Sequence, residues 1–562
     1  MENGTALQFV AADVEAEVVV CEVGLCFWGG VDPDTGKVIV AHLHLHGEVL
    51  ADNSVVLPTS RGSCSGSGVL LHRALDGHAP AALVFRDDEE VLTLGAVIAS
   101  RMFGRTIGVV RLPADHYGTL RSGQTARLRD ACLSTGSMTV DLQMVTRNDL
   151  DLTAADKAML DGRMGKPAAL AMEVICAMAA CHGAARLTDI TRGHIDGCIY
   201  AHEANLIFAE KMADMGARVA IPTTMNAISV DREHWTQHGL PKSFAQPACR
   251  LSDAYVEMGA RPTFTCAPYL AKDVPQPGEQ IGWSESNAVV FANSVLGART
   301  AKIPDYLDLF VALTGRAPQA GVYLPEKRRP GLVIDVDLPT GHDDALWPLL
   351  GWITGQLSPE SVPLLTGLEH AAPTRDDLRA TCAAFATTSA APLLHIAGVT
   401  PEAGLKPLDD ARRKRISRAD LADAWRRFNA GPASIDLVAL GSPHFSLEET
   451  RAFAALMRGS KRQPDTSVVI TLGREVFAQA RREGLVDQLQ SAGVRFYCDL
   501  CWCSIREPVF PENARTLMTN SGKYAHYAPG LSGRDVRFGS LAECAMAAQT
   551  GMAPSDPPAW LT

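Results

Sequence analysis

The sequence predicts an α/β protein in two parts, a small β-rich domain followed by a large multi-layer α/β domain, and three observations carry that expectation. Residues 1–135 alternate β-branched runs with glycine-rich turns. From Thr153 to the end, residues 153–562, helical patterns alternate with short apolar runs, as in sheets covered by helices. Between them the polar stretch around 115–139, which contains TARLRDACLS, lacks a clear period, and a linker is placed at 136–152.

The elements follow in order. In the first part VEAEVVVCEVGL, WGGVDPDTGKVIVAHLH and GEVLADNSVVLP read as strands and turns, and AALVFRDD, EEVLTLGAVIASRMFG and RTIGVVRL as strand, helix and strand. Residues 59–71, TSRGSCSGSGVLL, form a Gly/Ser loop that runs into a helical pattern. Such a loop offers free N–H groups and hydroxyls to an anion, although Ser63, Cys64, Ser65 and Ser67 serve equally as a turn and helix cap. It is not a Walker loop, because no Gly-Lys-Ser/Thr follows.

Thr153 and Asp156 make a capping-box pattern before AADKAMLDG. Polar clusters then follow strand-like runs: 217–221 leads to Thr223, Thr224 and Asn226, 261–265 to Cys266 and Tyr269, and 435–440 to Ser442 and His444. Ser446 and Glu449 cap the next helix, 467–471 is a strand, 474–491 a helix, and 494–497 a strand that ends at cysteines. Ligands bind beyond the carboxyl ends of strands in open α/β sheets, so these clusters are expected to share one site. Glu285, Ser286, Asn287, Asn293, Ser294 and Arg299 punctuate the apolar segment 283–306 and need partners if buried.

The chemistry is densest at 496–530, where Cys498, Cys501 and Cys503 give a C-x-x-C-x-C spacing suited to a soft metal or an iron–sulfur centre. Zinc remains an alternative occupant, although this spacing without a second pair makes a poor tetrahedral site. The loop from Thr519 to Lys523, with Tyr524, His526 and Tyr527 after it, offers donors to a carboxylate.

Composition limits the function. At 562 residues the chain exceeds a single core. A net charge of −11 argues against nucleic acid or an anionic membrane as the partner. The longest apolar-rich run, 168–181, is too short to span a bilayer and is broken by Glu173, so it reads as a buried helix. MENGTALQF carries no secretory or transit pattern, and a cytoplasmic location is expected. The 14 cysteines are then expected to stay reduced, with Cys21, Cys26, Cys132, Cys176, Cys181, Cys249, Cys382 and Cys544 as small core residues.

Taken together, FWGGVDPDTGKVI, LPTSRGSCSGSGVLL, HIDGCIY, IPTTMNAISVDR, FTCAPY, ESNAVVFANSVLGART, DLCWC and MTNSGKYAHY resemble the aconitase X family, single-chain bacterial type, over nearly the whole chain. The resemblance implies a small swivelling domain before a large cluster-binding domain, and a hydro-lyase. It implies cis-3-hydroxy-L-proline as substrate, dehydrated to Δ1-pyrroline-2-carboxylate, whereas heterodimeric archaeal relatives dehydrate mevalonate 5-phosphate. It also implies an iron–sulfur cluster of the 2Fe-2S type. Cys266 and Cys501 match ligand positions, with Cys503 as the third ligand. Ser442 stands where the archaeal pattern carries a further cysteine, which favours the smaller cluster, and Cys64 and Leu500 replace a frequent serine and threonine.

Ser63 matches the superfamily's swivel-domain base, and Ser65 is its alternative. Arg61 and Lys523 are assigned to the substrate carboxylate, with Asn287 and His526 as polar orienters; a structural salt bridge or hydrogen bond is the alternative role of each. The partners expected are a small hydroxy amino acid, no nucleic acid and no membrane, in a monomer or small homo-oligomer. Two other readings are a dehydratase of another small hydroxy acid, such as mevalonate 5-phosphate, and a non-catalytic iron–sulfur sensor. The absence of a basic aromatic patch argues against RNA binding by such a sensor.

Overall fold

The computed structural model describes residues 4–40, 43–60 and 65–562. Its first sheet has nine strands in the order Thr139–Asp141, Cys132–Ser134, Thr125–Arg129, Val14–Val20, Ser54–Leu57, Ala82–Phe85, Gly108–Arg111, Leu7–Val10, Gln143–Met144. The four strands from Val14–Val20 to Gly108–Arg111 run parallel. Ser54–Leu57 and Ala82–Phe85 are buried throughout, as continuous apolar runs in a parallel sheet should be. The helices Gly66–Leu75 and Val91–Phe103 provide the crossovers.

The stretch around 115–139 is not a linker. TARLR alternates outward and inward, burying Ala126 and Leu128 while Arg127 and Arg129 pair with Glu15 and Asp13 at 2.8 and 2.7 Å on the neighbouring strand. Its hairpin turns at Asp130 and Ala131, both at positive φ (50° and 54°), the conformation that a two-residue turn between twisted strands requires. Residues 139–144, inside the expected linker 136–152, close the two edges of the same sheet.

The large part opens on the expected capping box, with the Thr153 hydroxyl accepting from the Asp156 N–H at 3.1 Å, and Lys166–Cys181 is the buried helix foreseen at 168–181. Asp156 also accepts from Arg316 Nε at 2.8 Å. Three parallel sheets follow, each fed by helices. One has Gly193–Ile195 between Thr223–Met225 and Gly282–Trp283. The second orders His395–Ile396, Pro363–Thr366, Leu332–Val336 and Arg412–Ile416. The third orders Val494–Cys498, Ser467–Leu472, Leu437–Leu440, Thr516–Thr519 and Asp535–Phe538. Among the described residues no helix is long and apolar enough to cross a membrane.

Two expected strands are absent. Residues 217–221 leave a helix without pairing: after Glu203–Asp214, Gly216 turns left-handed (φ 80°), the Ala217 N–H returns to Met212 O at 3.1 Å, and pairing begins only after Pro222. Residues 261–265 make one bridge, Arg261 to Thr224. Beyond it the Thr263 N–H turns back to Arg261 O at 2.8 Å, and the Thr263 hydroxyl replaces the ladder, accepting from Met225 N at 3.1 Å and donating to Met225 O at 2.8 Å. The helix expected over 474–491 breaks at Gly484 (φ 75°) into Arg474–Arg482 and Leu485–Ser491.

Candidate active site

The loops at the carboxyl ends of the first and third of these parallel sheets meet. Cys266, Cys501 and Cys503 gather there with Ala227 and Ile199. The Cys501 loop is bound to the segment after Met225, since Ile228 N donates to Asp499 O at 2.7 Å and Cys501 N to Ile228 O at 3.3 Å. His444 ties both cysteine loops together. Its Nε2 lies 2.8 Å from Leu500 O and its Nδ1 3.1 Å from Thr265 Oγ1, and its own N–H donates to Cys266 Sγ at 3.3 Å. A carbonyl only accepts, so Nε2 is assigned the proton and Nδ1 accepts from the threonine. Burial pushes this imidazole down to about 4, so it stays neutral.

Cys498 does not join the other thiols. It ends its strand opposite Leu472, beside Asp499, Asp231 and Arg474, and burial pushes its thiol up to about 12. The C-x-x-C-x-C reading is therefore corrected: the third thiol is Cys266, brought from a distant loop. Among the described residues no three donors surround a point closely enough for a single metal ion. The donor set nevertheless suits an iron–sulfur group, which is larger than one ion and is held by thiolates. All three cysteines are free of disulfides, N–H groups point at Cys266 Sγ and Cys501 Sγ, and the Lys523 ammonium acts on all three thiols to favour their charged form.

A buried polar chain runs from these thiols. Lys523 sits in the first turn of the helix Gly522–Ser532, capped by the Ser521 hydroxyl, and donates to Glu285 Oε1 at 2.6 Å. Asn287 Nδ2 donates to the same oxygen at 2.6 Å and to Cys266 O at 3.0 Å, while its carbonyl accepts from Tyr269 OH at 2.6 Å. Asn226 links Glu285 Oε2, at 3.1 Å, to Asp196. Burial alone would raise Glu285, but the Lys523 ammonium outweighs it and holds the carboxyl well below the usual range.

Lys523, predicted as a substrate-carboxylate cation, is thus paired with Glu285 and keeps two N–H groups for another acceptor. His526, predicted as an orienter, turns elsewhere: its Nδ1 accepts from Trp352 Nε1 at 3.2 Å and its ring lies against Trp352 and Tyr527. Tyr527, one turn beyond Lys523, shares the Lys523 face, where burial raises its phenol beside Lys523, Cys503 and Glu285. Arg61 and Ser63 lie outside the described residues.

Ser65 is described. It stands at the N-cap of Gly66–Leu75, its hydroxyl beside the Asp305 carboxyl, and Ser67 Oγ reaches Asp305 O at 3.5 Å. This contact brings the swivel helix onto the large domain, and Gly68 permits it: a Cβ there would lie 2.8 Å from the Tyr306 hydroxyl and 3.0 Å from His202 Cε1. The expected outcome of Gly68→Ala is a kcat/KM lower by about a hundredfold with bound iron unchanged, since a displacement near 1 Å costs that much at a closed site. Parallel activity and iron assays check it.

Parallel sheets whose loops converge on thiols, beside a small domain whose Ser67 meets Asp305, have an aconitase-type architecture. The chain belongs to the aconitase X family: residues 4–138 match the aconitase X swivel domain, 149–326 the first domain, 330–426 the second and 435–550 the third. It is similar to cis-3-hydroxy-L-proline dehydratase from Pseudomonas aeruginosa, 47% identical with 98% of this chain and 97% of that protein covered. It is also similar to cis-3-hydroxy-L-proline dehydratase from Hypocrea jecorina, 43% identical with 98% and 95% covered. The holo-form crystal structure of aconitase X from Thermococcus kodakaraensis superposes with a TM-score of 0.65 at 29% identity, covering 72% of this chain and 100% of that one.

Proposed function

We propose that this protein is a hydro-lyase that converts cis-3-hydroxy-L-proline into Δ1-pyrroline-2-carboxylate. The observation that carries the reading is 47% and 43% identity, over 98% of the chain, to two dehydratases of that substrate. Such coverage includes both the serine loop and the thiol loops. The reaction removes a weakly acidic proton from C2 and hydroxide from C3, and the enamine formed tautomerises to the pyrroline.

Cys266, Cys501 and Cys503 would hold an iron–sulfur cluster, of the 2Fe-2S type on the motif pattern. When bound, such a group supplies a Lewis acid that weakens the C3–O bond. The chain's own residues divide the remaining work. A serine of the swivel loop, Ser63 or Ser65, takes the C2 proton. Lys523, through its remaining N–H groups, and Arg61 hold the substrate carboxylate, while Asn287 keeps Lys523, Glu285 and the Cys266 backbone in one frame. Tyr527 takes the orienting place given to His526 by sequence. Closure of the swivel domain excludes water from the buried pairs, which strengthens them.

An anaerobic assay with cis-3-hydroxy-L-proline, following pyrroline-2-carboxylate beside iron content, tests the reading. Turnover by iron-loaded protein is the expected result. No turnover at full iron content transfers the reading to another hydroxy acid, with mevalonate 5-phosphate the first to try. Replacing the base serine with alanine is expected to cut turnover to a small residual rate and leave the visible spectrum intact, whereas the same change at the other serine leaves most of the activity. Assays of Ser63→Ala and Ser65→Ala check this.

A further inference from the structure

A serine hydroxyl is a poor base at neutral pH unless a neighbour takes its proton. Near the swivel loop the structure places one such neighbour. The Asp305 carboxyl, buried at 4% exposure, lies beside the Ser65 hydroxyl, and among the described residues its Oδ1 has no hydrogen-bond partner. Ser67 reaches the same residue's carbonyl at 3.5 Å, so two swivel-domain hydroxyls meet one residue of the large domain.

The backbone fixes Asp305 there. The next residue, Tyr306, is fully buried at φ 78°, a conformation that costs a non-glycine residue about 1–3 kcal/mol. It is held by Asn205 Nδ2, which donates to its hydroxyl at 3.0 Å, and by Phe208, 4.4 Å away between ring centroids. Tyr306 is the N-cap of Leu307–Thr314, so its positive φ fixes how Asp305 enters that helix.

We infer that Asp305 is the positioning residue that makes Ser65 the base of the dehydration, accepting the Ser65 hydroxyl proton as Ser65 Oγ takes the C2 proton. The inference rests on the dehydratase reading above. The bonds balance. C2–H breaks as a new O–H forms on Ser65, and the old Ser65 O–H breaks as one forms on Asp305. The C2–H electron pair becomes the C2–C3 π bond, and hydroxide leaves C3 with its own pair. The proton on Asp305 and that hydroxide make up the water lost overall.

The surroundings suit a carboxyl that picks up and returns a proton. Asp308 faces it from the following helix, Asp196 and Cys198 from the loop after Gly193–Ile195, and Glu285 from the loop after Gly282–Trp283. Tyr255 of the helix Lys242–Glu257 and Tyr306 border it as neutral phenols, and neutral His202 stands between Tyr306 and Gly68. Among the described residues, Glu285 is the one of these groups paired with a cation, Lys523. Burial first, and Asp308 second, push Asp305 up to about 7, against the opposing effect of Ser65.

The test is the pH dependence of kcat/KM for the iron-loaded protein and its variants. Wild type is expected to gain activity as pH rises through about 7, where Asp305 becomes able to accept a proton. Asp305→Asn is expected to lose that limb and about a hundredfold or more in kcat/KM, with iron content and visible spectrum unchanged. Asp305→Glu restores part of both. Because Asp305 acts through Ser65, Ser65→Ala/Asp305→Asn should be no slower than Ser65→Ala alone. An Asp305→Asn variant that keeps the limb, or a double variant whose losses multiply, overturns the inference. Should Asp305→Asn fold poorly, a wild-type pH limb unaltered in Asp305→Glu overturns it equally. Wild-type turnover of cis-3-hydroxy-L-proline decides the substrate separately, and the variants are compared on whichever hydroxy acid the wild type dehydrates.

Discussion

Cys266→Ser is expected to strip the protein of iron and colour and to reduce turnover by more than the roughly 10–100-fold that changes around a metal's own ligands cost. The reason lies in what serine cannot do. A thiol becomes a soft, charged donor when metal binds, while an alcohol at the same place stays protonated and hard. Cys266 is buried, its sulfur faces the His444 N–H, and its carbonyl fixes Asn287, so the loop itself should survive a change of one atom. Circular dichroism is expected to be unchanged while anaerobic iron content and visible absorption fall. Cys498→Ser is the contrast: its sulfur lies beside Asp231 and Arg474, and iron should be retained. Iron kept in Cys266→Ser, or lost in Cys498→Ser, would return the ligand set to the C-x-x-C-x-C run.

Features with local causes were legible in the sequence. The capping boxes at Thr153 and Ser446 need only residues three apart, and the strands Leu437–Leu440 and Ser467–Leu472 announce themselves as apolar runs because both faces are covered. The hairpin at 125–134 was not legible, since its turn uses Asp130 and Ala131 in place of Asn-Gly and its alternation lasts five residues. Residues 217–221 and 261–265 look like strands by composition, but a helix cap and a side-chain hydrogen bond take their backbone.

The site divides in the same way. The family motifs single out Cys266, Cys501, Cys503, Asn287 and Lys523, and the structure brings these together, yet no spacing could pair Cys266 with Cys501 or Lys523 with Glu285. His526 and Tyr527 show how finely a helix decides. One residue is about 100° of rotation, enough to send His526 to Trp352 and leave Tyr527 on the Lys523 face. Asp305 has no signal in the sequence, because its neighbour Ser65 lies on the other domain.

Lys523→Met is expected to damage both stability and turnover, and pH separates the two effects. Lys523 and Glu285 are 8% and 7% exposed in their side chains, so little solvent screens them. Removing one partner of such a pair leaves a buried charge and costs about 3–5 kcal/mol. In the wild type Glu285 lies below its unfolded value, so its contribution is present above the ordinary glutamate range and is lost as pH falls through the lowered value. Burial opposes the Lys523 charge, but Glu285 and the thiols outweigh it and raise it, so its contribution persists until strongly alkaline pH. In Lys523→Met the sign at Glu285 reverses: burial without a cation raises it, and the variant should gain thermal stability as pH falls and the carboxyl protonates. Lys523→Met/Glu285→Gln removes both charges and should recover most of the stability. It should not recover activity, because the N–H groups proposed to hold the substrate carboxylate are gone. Thermal unfolding midpoints across acidic and neutral pH, beside turnover at neutral pH, check each step. A double variant that regained full turnover would remove Lys523 from substrate binding and leave it a purely structural cation.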